Sequence, residues 1–134
     1  MAIFTNYATL SYSGGTTTSN TVTGEIVETI SATKTAVLSD YTSGDSVTYV
    51  ISLLNSGSVN ISGLTVTDNL GGYTYGGTTV YPLEYIDGSV KYYINGVLQP
   101  APSVTAGPPL AINGISVPAN GNAIIVYEAS VTDF

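Results

Sequence analysis

The feature that most constrains this chain is two-residue alternation of apolar side chains, cut repeatedly by turn signals, with no helical periodicity to compete. Residues 46–55 set Val47, Tyr49, Ile51 and Leu53 on one face, and residues 61–68 do the same with Leu64 and Val66. The run 123–132 repeats the pattern with Ile125, Tyr127, Ala129 and Val131. Period two is the signature of a half-buried strand. Asp87-Gly88 and Asn95-Gly96 punctuate these runs, and the second predicts a hairpin joining 89–94 to 97–99. Further strands are expected over 29–38 and around 110–117, the latter closed by the turn Pro118-Ala119-Asn120-Gly121. Residues 71–79 read as a Gly- and Thr-rich loop or weak edge strand, and the prolines of 100–109 as a loop or edge crossing. The expected fold is an all-β antiparallel sandwich.

A second pattern precedes this body. Phe4, Ala8, Leu10 and Tyr12 share a face against Thr5, Thr9 and Ser11. After Gly14-Gly15 an apolar parity resumes at Val22 and Ile26. Residues 1–28 are therefore expected to form an N-terminal hairpin extension, and 29–134 the sandwich body. A sheet protein with strands to spare at one end and a gap at the other can be completed by a neighbour.

Composition narrows the function. Of 134 residues 43% are hydrophobic but only 8% charged, against about 25% in an average domain. Thr, Ser, Asn, Gly and Tyr must cover the surface, and such an exterior packs against copies of itself with little charge to desolvate. The net charge of −7, with Lys34 and Lys91 the cations, excludes nucleic acid, whose phosphates need clustered Lys or Arg. It equally disfavours an anionic membrane surface. No apolar run is long enough to span a bilayer, and Met1-Ala2-Ile3-Phe4 lacks a basic start and a long apolar core, so no signal peptide is expected. Without Cys or His, disulfides, zinc chemistry and Ser-His-Asp or Cys-His catalysis are excluded by inventory. No cofactor is expected.

Tyr41-x-x-Gly44-Asp45-x-Val47-Thr48-Tyr49-x-Ile51, then Asn55-x-Gly57, then Leu64-x-Val66-x-Asp68-x-Leu70 together resemble the bacterial surface repeat called domain of unknown function eleven. Tyr85-x-x-Gly88-Ser89-Val90 and Pro118-Ala119-Asn120-Gly121 suit it too, over roughly residues 30–134. The resemblance implies an immunoglobulin-like sandwich, a cell-surface or spore-appendage setting, and scaffolding with no enzymatic activity. Members finish with a Thr-Asn-x-Ala-x-Val strand and a Ser-Asn-x-Val partner. Here those patterns stand first, as Thr5-Asn6-Tyr7-Ala8-Thr9-Leu10 and Ser19-Asn20-Thr21-Val22, while the body reaches Phe134 where they are expected. The hairpin therefore inserts into a neighbour's open sheet, folds back onto its own body, or leads into further repeats. The candidate donor interface is Phe4, Asn6, Ala8, Leu10, Tyr12, Asn20, Val22 and Ile26, and the candidate acceptor is the strand of Ile125, Tyr127, Ala129 and Val131.

Among single residues, Lys34 shares parity with Ile30, Ala32 and Ala36, and Asp68 with Leu64 and Val66. Immunoglobulin-like surface proteins sometimes join such a Lys to Asn or Asp by an isopeptide bond, with a nearby carboxyl moving the proton. Asp45, Glu128 and Asn55 are candidates for the third group. A salt bridge is the simpler expectation. Asp40, Asp45, Asp68 and Asp87 suit turns better than calcium. Glu84 with Asp87 or Glu128 follows no glycosidase arrangement, and Trp is absent. Tyr73, Tyr75, Tyr81, Tyr85, Tyr92 and Tyr93 are candidate contacts, or ordinary cross-strand pairs. Asn60-Ile61-Ser62 is a glycosylation sequon by pattern alone.

The expectation is a non-enzymatic, extracellular subunit on a cell or spore surface whose partners are copies of itself. The alternative is a monomeric or tandem adhesion module binding glycan or protein through its Tyr-rich loops.

Overall fold

The computed structural model describes residues 2–26 and 29–132, and every regular element in it is a β-strand. The boundary expected at residue 28 and the end at Phe134 lie outside the described residues, as does the side chain of Ile26.

The larger sheet is built on β15 (Gly121–Val131), whose long alternation buries Ala123, Ile125, Tyr127 and Ala129. One edge of β15 pairs with β6 (Ser46–Asn55) from Gly121↔Asn55 to Ser130↔Ser46. Its other edge is shared by β11 (Lys91–Ile94) and β10 (Leu83–Tyr85). Strands β5 (Ile30–Ala36) and β12 (Val97–Gln99) close the two sides, giving the order β12-β11-β15-β6-β5. Asn95 and Gly96 both adopt positive φ between β11 and β12 (46° and 82°), the backbone their hairpin requires.

The smaller sheet runs β13 (Ser103–Thr105), β14 (Leu110–Val117), β7 (Ile61–Asp68). Register shifts after Ile112 and Ile115 mark bulges in the β14–β7 ladder. The proline-rich stretch thus carries a short edge strand, and the Gly-rich stretch carries the hairpin β8 (Tyr73–Tyr75) and β9 (Thr78–Val80).

The core lies between the sheets. Leu110, Ile112, Ile115 and Val117 of β14 meet Ile51, Leu53, Ile125, Tyr127 and Tyr92 of the larger sheet. At roughly 1.5–3 kcal/mol for each large side chain, this burial is the main stabilising term. Polar groups also stitch the layers. The Tyr92 hydroxyl donates to the Ser116 carbonyl (2.7 Å) and accepts from the Ser116 amide (2.8 Å). Fully buried Asn55 donates to the carbonyls of Val59 (2.9 Å) and Val117 (3.2 Å) and accepts from the Gly57 amide (2.9 Å).

The sandwich has unlike sides. On one side the chain passes from β12 in one sheet to β13 in the other through residues 100–102. On the other, β5 and β7 are both terminal strands, each with one edge unpaired among the described residues.

The leading hairpin comprises β1 (Ala2–Asn6), β2 (Thr9–Tyr12), β3 (Gly15–Thr18) and β4 (Val22–Ile26). Pairs β1–β4 and β2–β3 make its two halves, and the Ser19 amide bonded to the Ala8 carbonyl spans the interruption (2.8 Å). These strands pair only with one another among the described residues.

Candidate functional site

Two features of the chain face solvent where the folding of a sheet protein normally covers them. The first is the hairpin. Ile3, Phe4, Leu10, Tyr12 and Val22 are all exposed, Leu10 at 63%. Phe4 has some shelter within the hairpin, because its ring lies over Gly24, where a Cβ would come within 2.3 Å of it.

The second is the open side of the sandwich. A groove of about 400 Å³ runs between β5 and β7, floored by Ile51 and Leu53 and walled by Ile30, Ala32, Leu64 and Val66. Its length follows two strands that each offer a free row of amides and carbonyls.

This geometry corrects the acceptor expected from sequence. Ile125, Tyr127, Ala129 and Val131 belong to β15, which is paired along both edges, and the first three are fully buried. A strand with no free edge cannot accept another. On the open side of the sandwich, the free edges among the described residues belong to β5 and β7.

Lys34 lines that groove, and its Nζ lies 2.7 Å from Asp68 Oδ2. The pair joins the last strand of one sheet to the last strand of the other. The Lys34 side chain is 41% exposed and that of Asp68 only 4%. The ammonium also sits 4.3 Å from the centre of the Tyr49 ring, which tilts against Tyr127 at 5.7 Å. The Tyr127 hydroxyl donates to Asp68 Oδ2, and the Leu70 amide donates to Oδ1 at 2.9 Å. The latter bond holds Leu70 at a positive φ of 53° while its side chain enters the core.

Burial by itself would raise the Asp68 pKa, but hydrogen bonds from Lys34, Tyr127 and the Leu70 amide, with the charge of Lys34, outweigh it. The carboxyl is held below its usual value. Burial first, then the bond to Asp68, pushes the Tyr127 phenol far up, so it stays a donor. Lys34 and Asp68 are an ion pair.

The other groups considered for a crosslink are engaged elsewhere. Asp45 Oδ2 accepts from the Thr42 amide (2.8 Å) in a turn, and Glu128 Oε1 accepts from Thr48 (3.5 Å). Asn55 pairs opposite Ile30, at the far end of β5 from Lys34. Among the described residues no three His, Cys, Asp or Glu side chains gather as a metal site. The tyrosines divide: Tyr85 and Tyr92 are core, whereas Tyr73, Tyr75 and Tyr81 are exposed around the β8–β9 hairpin. Asn60 accepts from the Ala119 amide (2.8 Å).

No family model, curated protein or solved structure matches this chain.

Proposed function

We propose that this chain is the structural, non-enzymatic subunit of a self-assembling extracellular or spore-surface fibre. The joint is strand complementation: the N-terminal hairpin of one immunoglobulin-like subunit enters the groove between β5 and β7 of the next. One observation carries this reading. Among the described residues, the same chain has an exposed apolar hairpin paired only with itself and an apolar groove between two unpaired strand edges.

Insertion satisfies both at once. Main-chain hydrogen bonds to a free edge supply affinity, and alternate side chains fill the slot. Phe4, Leu10 and Val22 gain roughly 1.5–3 kcal/mol each when buried. A donor and an acceptor on different surfaces make a heterologous contact, which propagates instead of closing. The resemblance to the bacterial surface repeat supports the cell- or spore-surface setting.

The test is negative-stain electron microscopy of the full chain beside a variant lacking residues 1–23. Fibres from the first alone support the joint. Monomers from both at high concentration reject it, and fibres from both place the contact elsewhere. The adhesion alternative rests on Tyr75, 72% exposed on β8. It gains if the full chain stays monomeric and binds glycan.

A further inference from the structure

The Lys34–Asp68 ion pair stands at the acceptor groove, its ammonium part exposed and its carboxylate buried. Among the described residues of the subunit, no carboxamide is hydrogen-bonded to Lys34, whose partner is Asp68. Asn55 is about 13 Å along β5, by four strand residues, and its amide is fully bonded. The proposed occupant of the groove carries one. Asn6 follows Phe4 by two residues in β1, so both side chains leave the same face, about 7 Å apart. A hairpin that seats Phe4 between the sheets brings Asn6 in with it. An antiparallel register setting Asn6 opposite Lys34 also sets Ala8 opposite Ala32 and Leu10 opposite Ile30. That register fills the apolar end of the groove with apolar side chains. Asn20 lies between β3 and β4, outside either strand.

Resting on the strand-exchange reading above, we propose that the joint is sealed covalently, by an isopeptide bond between Lys34 of the acceptor and Asn6 of the incoming hairpin, with Asp68 moving the proton.

Insertion covers the exposed part of Lys34, and losing water disfavours both charges of the pair. The Nζ proton passes to Asp68 Oδ2, leaving a neutral amine beside a carboxylic acid. The amine lone pair attacks Cγ of Asn6 while Asp68 protonates the carboxamide oxygen. Asp68 then takes the second Nζ proton and delivers it to Nδ2. The Cγ–Nδ2 bond breaks, ammonia leaves, and the proton on the oxygen returns to Asp68 as the amide carbonyl re-forms, so the carboxyl ends protonated beside a neutral amide. Amine plus carboxamide gives amide plus ammonia, with no oxidant or water consumed. Tyr127 and the Leu70 amide are positioning groups, since they fix the two carboxyl oxygens. Asp68 itself is a poor acyl partner, because three donors favour its ionised form.

Wild-type fibres are boiled in detergent, separated on a denaturing gel, and measured by intact and peptide mass spectrometry. The expected result is a ladder of multimers, each joint lighter by one ammonia, with the peptide bearing Asn6 linked to that bearing Lys34. Lys34→Arg keeps a cation at the site but supplies no nucleophile, and no ladder forms. Visible fibres that dissolve wholly to monomers of unaltered mass overturn the crosslink and leave strand exchange standing. A monomer lighter by one ammonia puts the bond within one chain and overturns the intersubunit joint. Absence of fibres by microscopy overturns the polymer reading and the crosslink together.

Discussion

Lys34 Nζ and Asp68 Oδ2, 2.7 Å apart, connect the two terminal strands that flank the open side of the sandwich. The carboxylate is buried and the ammonium half exposed, so the two partners are unequal. Removing the cation strands a buried charge, whereas removing both leaves a hole that apolar groups can fill.

Lys34→Met is therefore expected to destabilise the monomer by about 1–3 kcal/mol. Urea denaturation checks it. A midpoint equal to wild type means that Asp68 gains nothing from Lys34.

Asp68 also predicts a direction with pH. Its folded pKa lies below the ordinary 3.8, so the unfolded chain takes up the proton first as pH falls. The stabilisation is complete above the unfolded value and is lost as pH drops from about 4 through the folded pKa. Denaturation midpoints measured across that range should fall more steeply for wild type than for Asp68→Asn. Parallel curves would refute the assignment.

The register of the joint is open to a direct test, because the chain has no cysteine of its own. In a Lys34→Arg background, Ala8→Cys with Ala32→Cys should give fibres whose subunits are disulfide-linked on a non-reducing gel and fall apart on reduction. Directly opposed strand residues bring Cα atoms within bridging range. Linkage in Ala8→Cys with Ala36→Cys instead would mean that the strands run parallel.

Tyr92→Phe removes one hydroxyl and orphans both main-chain groups of Ser116. The expected cost is about 1–3 kcal/mol with the denaturant slope unchanged. A negligible effect would show that water replaces the hydroxyl.

Much of the fold was legible because alternation reports burial directly. The spans expected at 46–55, 61–68 and 110–117 coincide with β6, β7 and β14, and the Asn95-Gly96 hairpin stands where its φ preferences require. Strands β10 and β13 escaped notice because three residues carry too little periodicity, and Pro82 and Pro102 beside them signal loops. The acceptor was misplaced for a different reason. Alternation tells which face of a strand is buried but says nothing of its edges. A signal did exist: Ala123-Ile124-Ile125-Val126 is apolar at every position, as suits a strand at the middle of a sheet, whose outer face is half-buried. Parity placed Lys34 and Asp68 correctly toward each other, while Tyr127, which holds the carboxylate from a third strand, lay beyond what spacing along one chain can reveal.

The groove is built wholly from β5, β6 and β7, and none of its walls comes from the hairpin. Acceptor and donor are thus separable within one chain. Under strand exchange, a copy lacking residues 1–23 still receives a partner but offers nothing onward, and so acts as a chain stopper. Fibre length would then follow the ratio of clipped to intact subunits, as in a condensation polymer dosed with a monofunctional monomer, and an aminopeptidase or a single proteolytic nick would be enough to set it.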